Sequence, residues 1–140
     1  ATTTWERWNS YSLEDGFNPE GMNSLNHYAY GSISRWFYEG MLGIKPLKPG
    51  FKHFKVEPQF GKQLNSAQGG YETPQGEIFV QWQTVEQALT LDVTVPKNSM
   101  ADIVLPSFVE QSLTLNDKKV AVQQLSSLSS GKYQIRFQLK

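Results

Sequence analysis

The alternation of apolar and polar residues in the second half of the chain most limits what this sequence can fold into. Residues 78–82, 89–95 and 133–139 each carry large apolar side chains at every second position. A period of two is typical of strands that bury one face and leave the other solvated. Turn sequences separate such runs, among them residues 73–76 and Asn116-Asp117. Seven or eight short strands of this kind predict an antiparallel β-sandwich.

The first part of the chain has a helical period instead. Asp15-Gly16 and Asn18-Pro19 predict turns, and after them apolar residues recur at spacings of three and four. This spacing predicts a helix over residues 24–42 that ends at Gly43. Its predicted apolar face consists of Leu25, Ala29, Ile33, Trp36, Phe37 and Met41.

Two prolines and a glycine in residues 45–50 predict a connector between these parts. We therefore divide the chain into residues 1–48 and residues 49–140. So few helices cannot cover their own apolar faces, so the first part is expected to be the end of a larger helical array. The overall prediction is an α+β chain.

Composition excludes several classes of function. The 13 basic and 13 acidic residues balance and do not cluster into a nucleic-acid-binding stripe. The absence of cysteine and the presence of only two histidines argue against a metal site, and no nucleotide or cofactor fingerprint is present. No run is apolar enough to span a bilayer, and the cell compartment stays open. Because the first residue is Ala1 and not Met, we expect a mature or excised piece.

Residues 2–8 combine three threonines, two tryptophans, a glutamate and an arginine. Residues 3–6 fit a capping box, in which Glu6 would fold back onto the start of a short helix. Alternatively, Glu6 lies between Trp5 and Trp8 in a pocket, where a carboxylate could transfer protons. Spacing alone leaves these two interpretations about even.

For the other polar residues, structural roles are the more common interpretation. Arg7 is expected to form an internal ion pair, and Glu39 to lie on a polar helix face. His27 is more often a structural histidine, although near a helix start it could donate a hydrogen bond to a ligand hydroxyl. His53 is expected to pack where the two parts of the chain meet.

Four stretches together resemble the C-terminal end of bacterial-type α-L-rhamnosidases, a family of inverting glycosidases with an (α/α)6 barrel. The first two are fairly specific in combination, and the resemblance covers essentially the whole chain. The stretches are Ala1-Thr2-Thr3-Thr4-Trp5-Glu6-Arg7-Trp8, Met22-Asn23-Ser24-Leu25-Asn26-His27-Tyr28-Ala29, Gly31-Ser32-Ile33-Ser34-Arg35-Trp36 and Pro49-Gly50-Phe51-Lys52-His53-Phe54.

The resemblance implies the last barrel helices followed by the C-terminal sandwich, acting on a rhamnoside substrate. It implies that Glu6 is the general base that activates water and that His27 touches the sugar. Trp5 and Trp8 are then expected to wall the sugar pocket. The family's general acid lies upstream of Ala1, so the isolated chain is expected to be inactive. Its exposed helices are expected to be covered by the missing barrel or by another copy.

Two alternatives remain at this point. The chain could be a non-catalytic module that binds carbohydrate or braces a catalytic domain, with Glu6 folded into its cap. It could also belong to another (α/α)6-barrel glycosidase with a different sugar specificity.

Overall fold

The computed structural model describes residues 2–61, 63–106 and 113–138. Within them the fold is α+β, with one short α-helix and mostly antiparallel sheets. The chain divides into two compact units between Arg35 and Trp36.

A small hairpin forms the middle of the first unit. Strands β1 (Tyr11–Ser12) and β2 (Gly16–Phe17) pair antiparallel, and the rings of Tyr11 and Phe17 lie 5.1 Å apart. Ser12 Oγ accepts a hydrogen bond from the Asp15 N–H, and Gly16 has a φ of 73°. The turn predicted at Asp15-Gly16 is therefore confirmed.

The helical segment is shorter and less regular than the periodicity predicts. A 3-10 helix spans Tyr28–Ser32, α1 spans Ile33–Trp36 and a π-helix spans Phe37–Met41. The prediction that a helix begins near Ser24 is wrong, because the backbone of residues 24–27 bonds to residues 3–6 instead. Gly43 follows the helix with a φ of 76°, as expected of a helix-ending glycine.

The second unit consists of two sheets. The strands are β3 (Ile44–Pro46), β4 (His53–Val56), β5 (Ser66–Thr73), β6 (Gly76–Val85), β7 (Ala88–Val95), β8 (Met100–Ile103), β9 (Thr114–Leu115), β10 (Lys118–Lys119) and β11 (Gly131–Gln138). Six of them form an antiparallel sheet in the order β10-β9-β11-β7-β6-β5, and the other three form a sheet in the order β3-β4-β8.

The alternating runs are confirmed as β6, β7 and β11, although Leu139 lies outside the described residues. Residues 73–76 turn β5 into β6, and Asn116 and Asp117 turn β9 into β10 with φ values of 48° and 64°. Two expectations are wrong. The pair β4–β8 is parallel, and residues 45 and 46 belong to β3 instead of a connector.

The inward faces of the two sheets share one apolar core. Phe54 and Val56 of β4 and Trp82 of β6 are fully buried. The Trp82 ring packs edge-on against Phe60, with ring centroids 5.2 Å apart, and its Nε1–H donates to the Met41 carbonyl at 2.9 Å. This hydrogen bond ties the end of the π-helix to the six-stranded sheet.

Replacing Gly43 by alanine should destabilise the chain strongly. A Cβ at Gly43 would lie 2.2 Å from the Glu57 carbonyl carbon, which belongs to backbone that cannot easily move. The positive φ adds roughly 1–2 kcal/mol for a residue with a Cβ. We expect the free energy of unfolding, measured in urea, to fall by more than this backbone term. Gly50→Ala is the matched control because Gly50 has a φ of 65° but no atom within 4 Å of its Cβ position. Equal losses in both variants would contradict the steric argument.

Candidate active site

Glu6 is held by its partner segment at both its backbone and its side chain. The Glu6 N–H donates to the Ser24 carbonyl at 2.9 Å, and the Ser24 N–H donates to Glu6 Oε2 at 2.8 Å. Glu6 therefore does not cap its own helix, and residues 2–8 contain no helix. The capping-box interpretation is wrong because the partner of the carboxylate lies 18 residues along the chain.

The structure brings His27 next to Glu6. The His27 N–H donates to the Thr4 carbonyl at 2.8 Å, which aligns the two segments. His27 Nε2 then lies 3.9 Å from Glu6 Oε1, within ion-pair range but beyond hydrogen-bond distance. The imidazole stacks on Tyr28 with the ring planes 18° apart. Both side chains are only partly exposed, 28% for His27 and 19% for Glu6.

Polar contacts of Thr3 and Arg7 fix the backbone on either side of Glu6. Thr3 Oγ1 donates to the Leu25 carbonyl at 2.5 Å. The Arg7 guanidinium pairs with Glu20 and donates to the Gly21 carbonyl at 3.4 Å. The internal ion pair predicted for Arg7 is confirmed, and it ties the segment after the hairpin to the segment that carries Glu6.

The two tryptophans differ in their surroundings. Trp5 is half-buried, whereas Trp8 is fully exposed. Their role as walls of a sugar pocket stays a prediction. Trp8 belongs to a wider group of exposed apolar side chains in this unit. The group consists of Trp8, Tyr11, Leu13, Phe17, Met22, Tyr28 and Ile33.

Two features that position Glu6 have no signature in the sequence. The N–H of Ser24 carries no signal in a sequence, although it is the donor that orients Glu6. Asn23 Nδ2 donates to the carbonyls of Ser10 and Asn18 at 3.2 Å each, and so holds the backbone immediately before Ser24. Asn23 and Ser24 lie in one of the stretches that resemble the rhamnosidase family, but their contribution to the site depends on long-range contacts.

The arrangement suits proton transfer. One carboxylate oxygen of Glu6 accepts a backbone hydrogen bond, and the other faces an imidazole. A fixed carboxylate of this kind can accept a proton from a water molecule. Within the described residues, no group of three or more His, Asp and Glu side chains could hold a metal ion. Nor does any helix there have the length and apolarity to span a membrane.

The other histidine belongs to a separate pair in the second unit. His53 Nε2 lies 2.9 Å from Asp102 Oδ2, and the Ser127 N–H donates to Asp102 Oδ1 at 2.7 Å. Burial raises the pKa of Asp102, but the hydrogen bond from the Ser127 N–H and the close approach of the His53 imidazole outweigh it and hold the pKa below its ordinary value. Nearby, hydrogen bonds from Lys45 and Lys55 lower the pKa of Glu57.

The Asp102 contacts should make stability depend on pH. A carboxyl whose pKa is lower in the folded state stabilises the fold above its unfolded pKa of about 3.8. That stability is lost as the pH falls below this value through the folded pKa. Asp102→Asn should therefore cost about 1 kcal/mol near neutral pH, and the cost should shrink in acid because the protonated aspartic acid is also neutral. Urea unfolding of both proteins across this range measures it, and a pH-independent difference would contradict the assignment.

Two family models match consecutive parts of the chain. Residues 1–41 match the bacterial α-L-rhamnosidase six-hairpin glycosidase domain, and residues 43–120 match the bacterial α-L-rhamnosidase C-terminal domain. These are glycosidase-associated domains. The second match covers more than half of the chain, and the chain belongs to the bacterial α-L-rhamnosidase C-terminal domain family.

The similar proteins are also described as α-L-rhamnosidases. An α-L-rhamnosidase of Alteromonas sp. (strain LOR) is 52% identical over 97% of this chain, which spans 15% of that relative. An α-L-rhamnosidase of Formosa agariphila is 47% identical over 84% of this chain, which spans 13% of its length. The crystal structure of Streptomyces avermitilis α-L-rhamnosidase complexed with L-rhamnose matches 96% of this chain and 13% of its own, with 29% identity and a TM-score of 0.77.

Proposed function

We propose that this chain supplies the general base, Glu6, to an inverting glycosidase that removes terminal α-L-rhamnose. The main support is the fixed position of the Glu6 carboxylate. One of its oxygens accepts a hydrogen bond from the Ser24 N–H, and the other lies 3.9 Å from His27 Nε2. Membership of the rhamnosidase family supports the substrate class. The chain spans 10–15% of the length of the relatives it matches, and in this proposal the complete site includes residues outside the chain.

Inverting hydrolysis explains why one carboxylate is insufficient. A general acid must protonate the leaving oxygen while a general base activates water on the opposite face of the sugar. The two carboxyl groups stand about 6.5–9.5 Å apart so that the water fits between sugar and base. Glu6 takes the role of the base, and the acid comes from residues outside this chain.

The neighbours of Glu6 have supporting roles in this proposal. The Ser24 N–H fixes the direction of the carboxylate, so little reorganisation is needed when it accepts the proton. His27 donates a hydrogen bond to a sugar hydroxyl. Trp5 and Trp8 wall the apolar ring face and the methyl group of rhamnose.

An upstream helical barrel is the proposed partner of the first unit. The exposed apolar group there includes Trp8 at 102%, Tyr28 at 90% and Leu13 at 89% of full exposure. So many exposed large apolar side chains in so short a unit favour a surface that another body covers. We propose that the first unit, residues 1–35, packs against an (α/α)6 barrel that covers these side chains. A non-catalytic module has less support, because that alternative predicts a Glu6 side chain that caps its own helix.

The test compares the isolated chain with a full-length rhamnosidase that contains it. On an aryl α-L-rhamnoside, the full-length protein should release the aglycone and the isolated chain should not, because the general acid is missing. Circular dichroism of the isolated chain verifies that it is folded. Turnover by the isolated chain that Glu6→Gln abolishes would contradict the need for residues outside it.

A further inference from the structure

The outer face of the six-stranded sheet carries a second candidate site, separate in chemistry from Glu6. Inward positions on β6 are buried, and the alternate positions Phe79 and Gln81 point to the other face. A groove of ≈ 310 Å³ runs across this face over three neighbouring strands. The residues that line it include Phe79, Asp92, Thr94, Asn116, Lys132 and Gln134.

The register of the strands sets these side chains in two adjacent rows. Thr94 lies opposite both Phe79 and Lys132, which makes the first row. Asp92 lies opposite both Gln81 and Gln134, which makes the second. Each row thus crosses β6, β7 and β11, and the turn between β9 and β10 adds Asn116 at the edge of the groove.

Hydrogen bonds hold the polar groups of the groove in fixed directions. Asn116 Oδ1 accepts from the Gln134 N–H at 2.8 Å, and Gln134 Nε2 donates to Asp92 Oδ1 at 2.9 Å. Within the described residues, these bonds leave Asp92 Oδ2 and Gln134 Oε1 as acceptors and Asn116 Nδ2 as a donor. A fixed alternation of donors and acceptors is what a molecule with several hydroxyl groups requires.

Phe79 gives the groove an apolar surface. Its partner on β5 is Gly70, so no side chain stands opposite it on that strand. The Glu77 carboxylate lies over Gly70, since a Cβ there would be 2.0 Å from Glu77 Oε1. An aromatic ring beside fixed polar groups is suited to a ligand with one apolar and one hydroxylated face.

The charges of the groove favour a neutral ligand. Asp92 and Lys132 have opposite signs and both line it, and the whole chain has a formal net charge of +0. A polyanion would meet the Asp92 carboxylate, and a strongly apolar peptide would leave the amides without partners. A neutral sugar satisfies both the ring and the polar groups.

We propose that this groove binds a neutral pyranose of a saccharide chain. The groove lies wholly in the second unit and does not depend on Glu6 being a catalytic base. Its ligand class is one on which a glycosidase acts, so the groove would hold a sugar-bearing substrate through a second contact. Failure of this proposal leaves the proposed function untouched, and failure of the proposed function leaves the groove testable.

The test is a titration of the full 140-residue chain with methyl α-L-rhamnopyranoside, followed by ¹H–¹⁵N NMR. The side-chain amide signals of Asn116, Gln134 and Gln81 should shift together and saturate in the millimolar range. Phe79→Leu keeps an apolar side chain opposite Gly70 but removes the aromatic face, and should weaken binding about tenfold. Asp92→Asn should weaken it about tenfold as well, because a charged acceptor is lost.

Two matched controls separate this site from other effects. Gln83→Ala alters the same outward face of β6 beyond the groove and should leave the affinity unchanged. Glu6→Gln should also leave the groove signals unchanged. No shift of the groove amides up to about 20 mM sugar would overturn the proposal. Equal affinity in wild type and Phe79→Leu would also overturn it.

Discussion

Glu6→Gln is expected to reduce kcat by about 10²–10⁴-fold in a full-length rhamnosidase that contains this chain. Glutamine keeps the shape of the side chain and can still accept the hydrogen bond from the Ser24 N–H, which is 2.8 Å long in the structure. It cannot accept a proton from water. Because ground-state contacts to the sugar are preserved, KM should change little. Steady-state kinetics on an aryl α-L-rhamnoside measures both constants.

Chemical rescue tests the role of Glu6 more directly than loss of activity does. Glu6→Ala leaves space beside His27, and azide is an anion that attacks carbon without a base. Azide should partly restore turnover of Glu6→Ala and give the rhamnosyl azide of inverted configuration. In this reaction the carbon–oxygen bond breaks, the carbon–nitrogen bond forms, and the leaving oxygen takes its proton from the general acid.

Glu14→Gln is the control for charge and folding. Glu14 is an exposed carboxylate in the hairpin of the same unit, so its loss should leave kcat within about twofold. Activity of Glu6→Gln within a few-fold of wild type would contradict the base assignment. An azide product of retained configuration would contradict inversion.

The site was only partly predictable because its key contacts are long-range. Glu6 and His27 were each singled out by their neighbours in the sequence, and the structure brings them to 3.9 Å. The capping box failed for a definite reason. Its spacing describes a local bond, whereas the Glu6 carboxylate found a backbone donor at Ser24, 18 residues away. No sequence pattern reports that donor, since every residue except proline has an N–H.

The strands were predictable where one face is buried and the other is solvated. The alternation in β6, β7 and β11 follows from packing Trp82, Leu91 and Ile135 into one core. The parallel pairing of β4 with β8 follows from chain topology, which alternation cannot report. Similarly, the prolines at 46 and 49 indicated a connector, but Pro46 ends an edge strand, where a missing N–H is tolerated.

Trp82→Ala is expected to have the largest effect on stability. Trp82 is fully buried, and its indole contacts the Phe60 ring and bonds to the Met41 carbonyl. Removing a buried tryptophan costs about 3–5 kcal/mol, which is a large part of the roughly 5–15 kcal/mol that stabilises a typical domain. Urea unfolding followed by circular dichroism should show a much lower midpoint or a chain unfolded at the outset.

Trp82→Phe separates the contribution of the indole hydrogen bond from that of aromatic packing. Trp8→Ala is the control for loss of an exposed tryptophan. Phenylalanine keeps much of the aromatic packing but leaves the Met41 carbonyl without the indole donor that lies 2.9 Å away, which should cost roughly 1–3 kcal/mol. Trp8 is the same residue type at 102% exposure, so Trp8→Ala should change the free energy of unfolding by less than about 0.5 kcal/mol. A loss in Trp82→Phe as large as in Trp82→Ala would assign the whole effect to the hydrogen bond. In that case the tie between the π-helix and the sheet, and not the filling of the core, would be what Trp82 contributes.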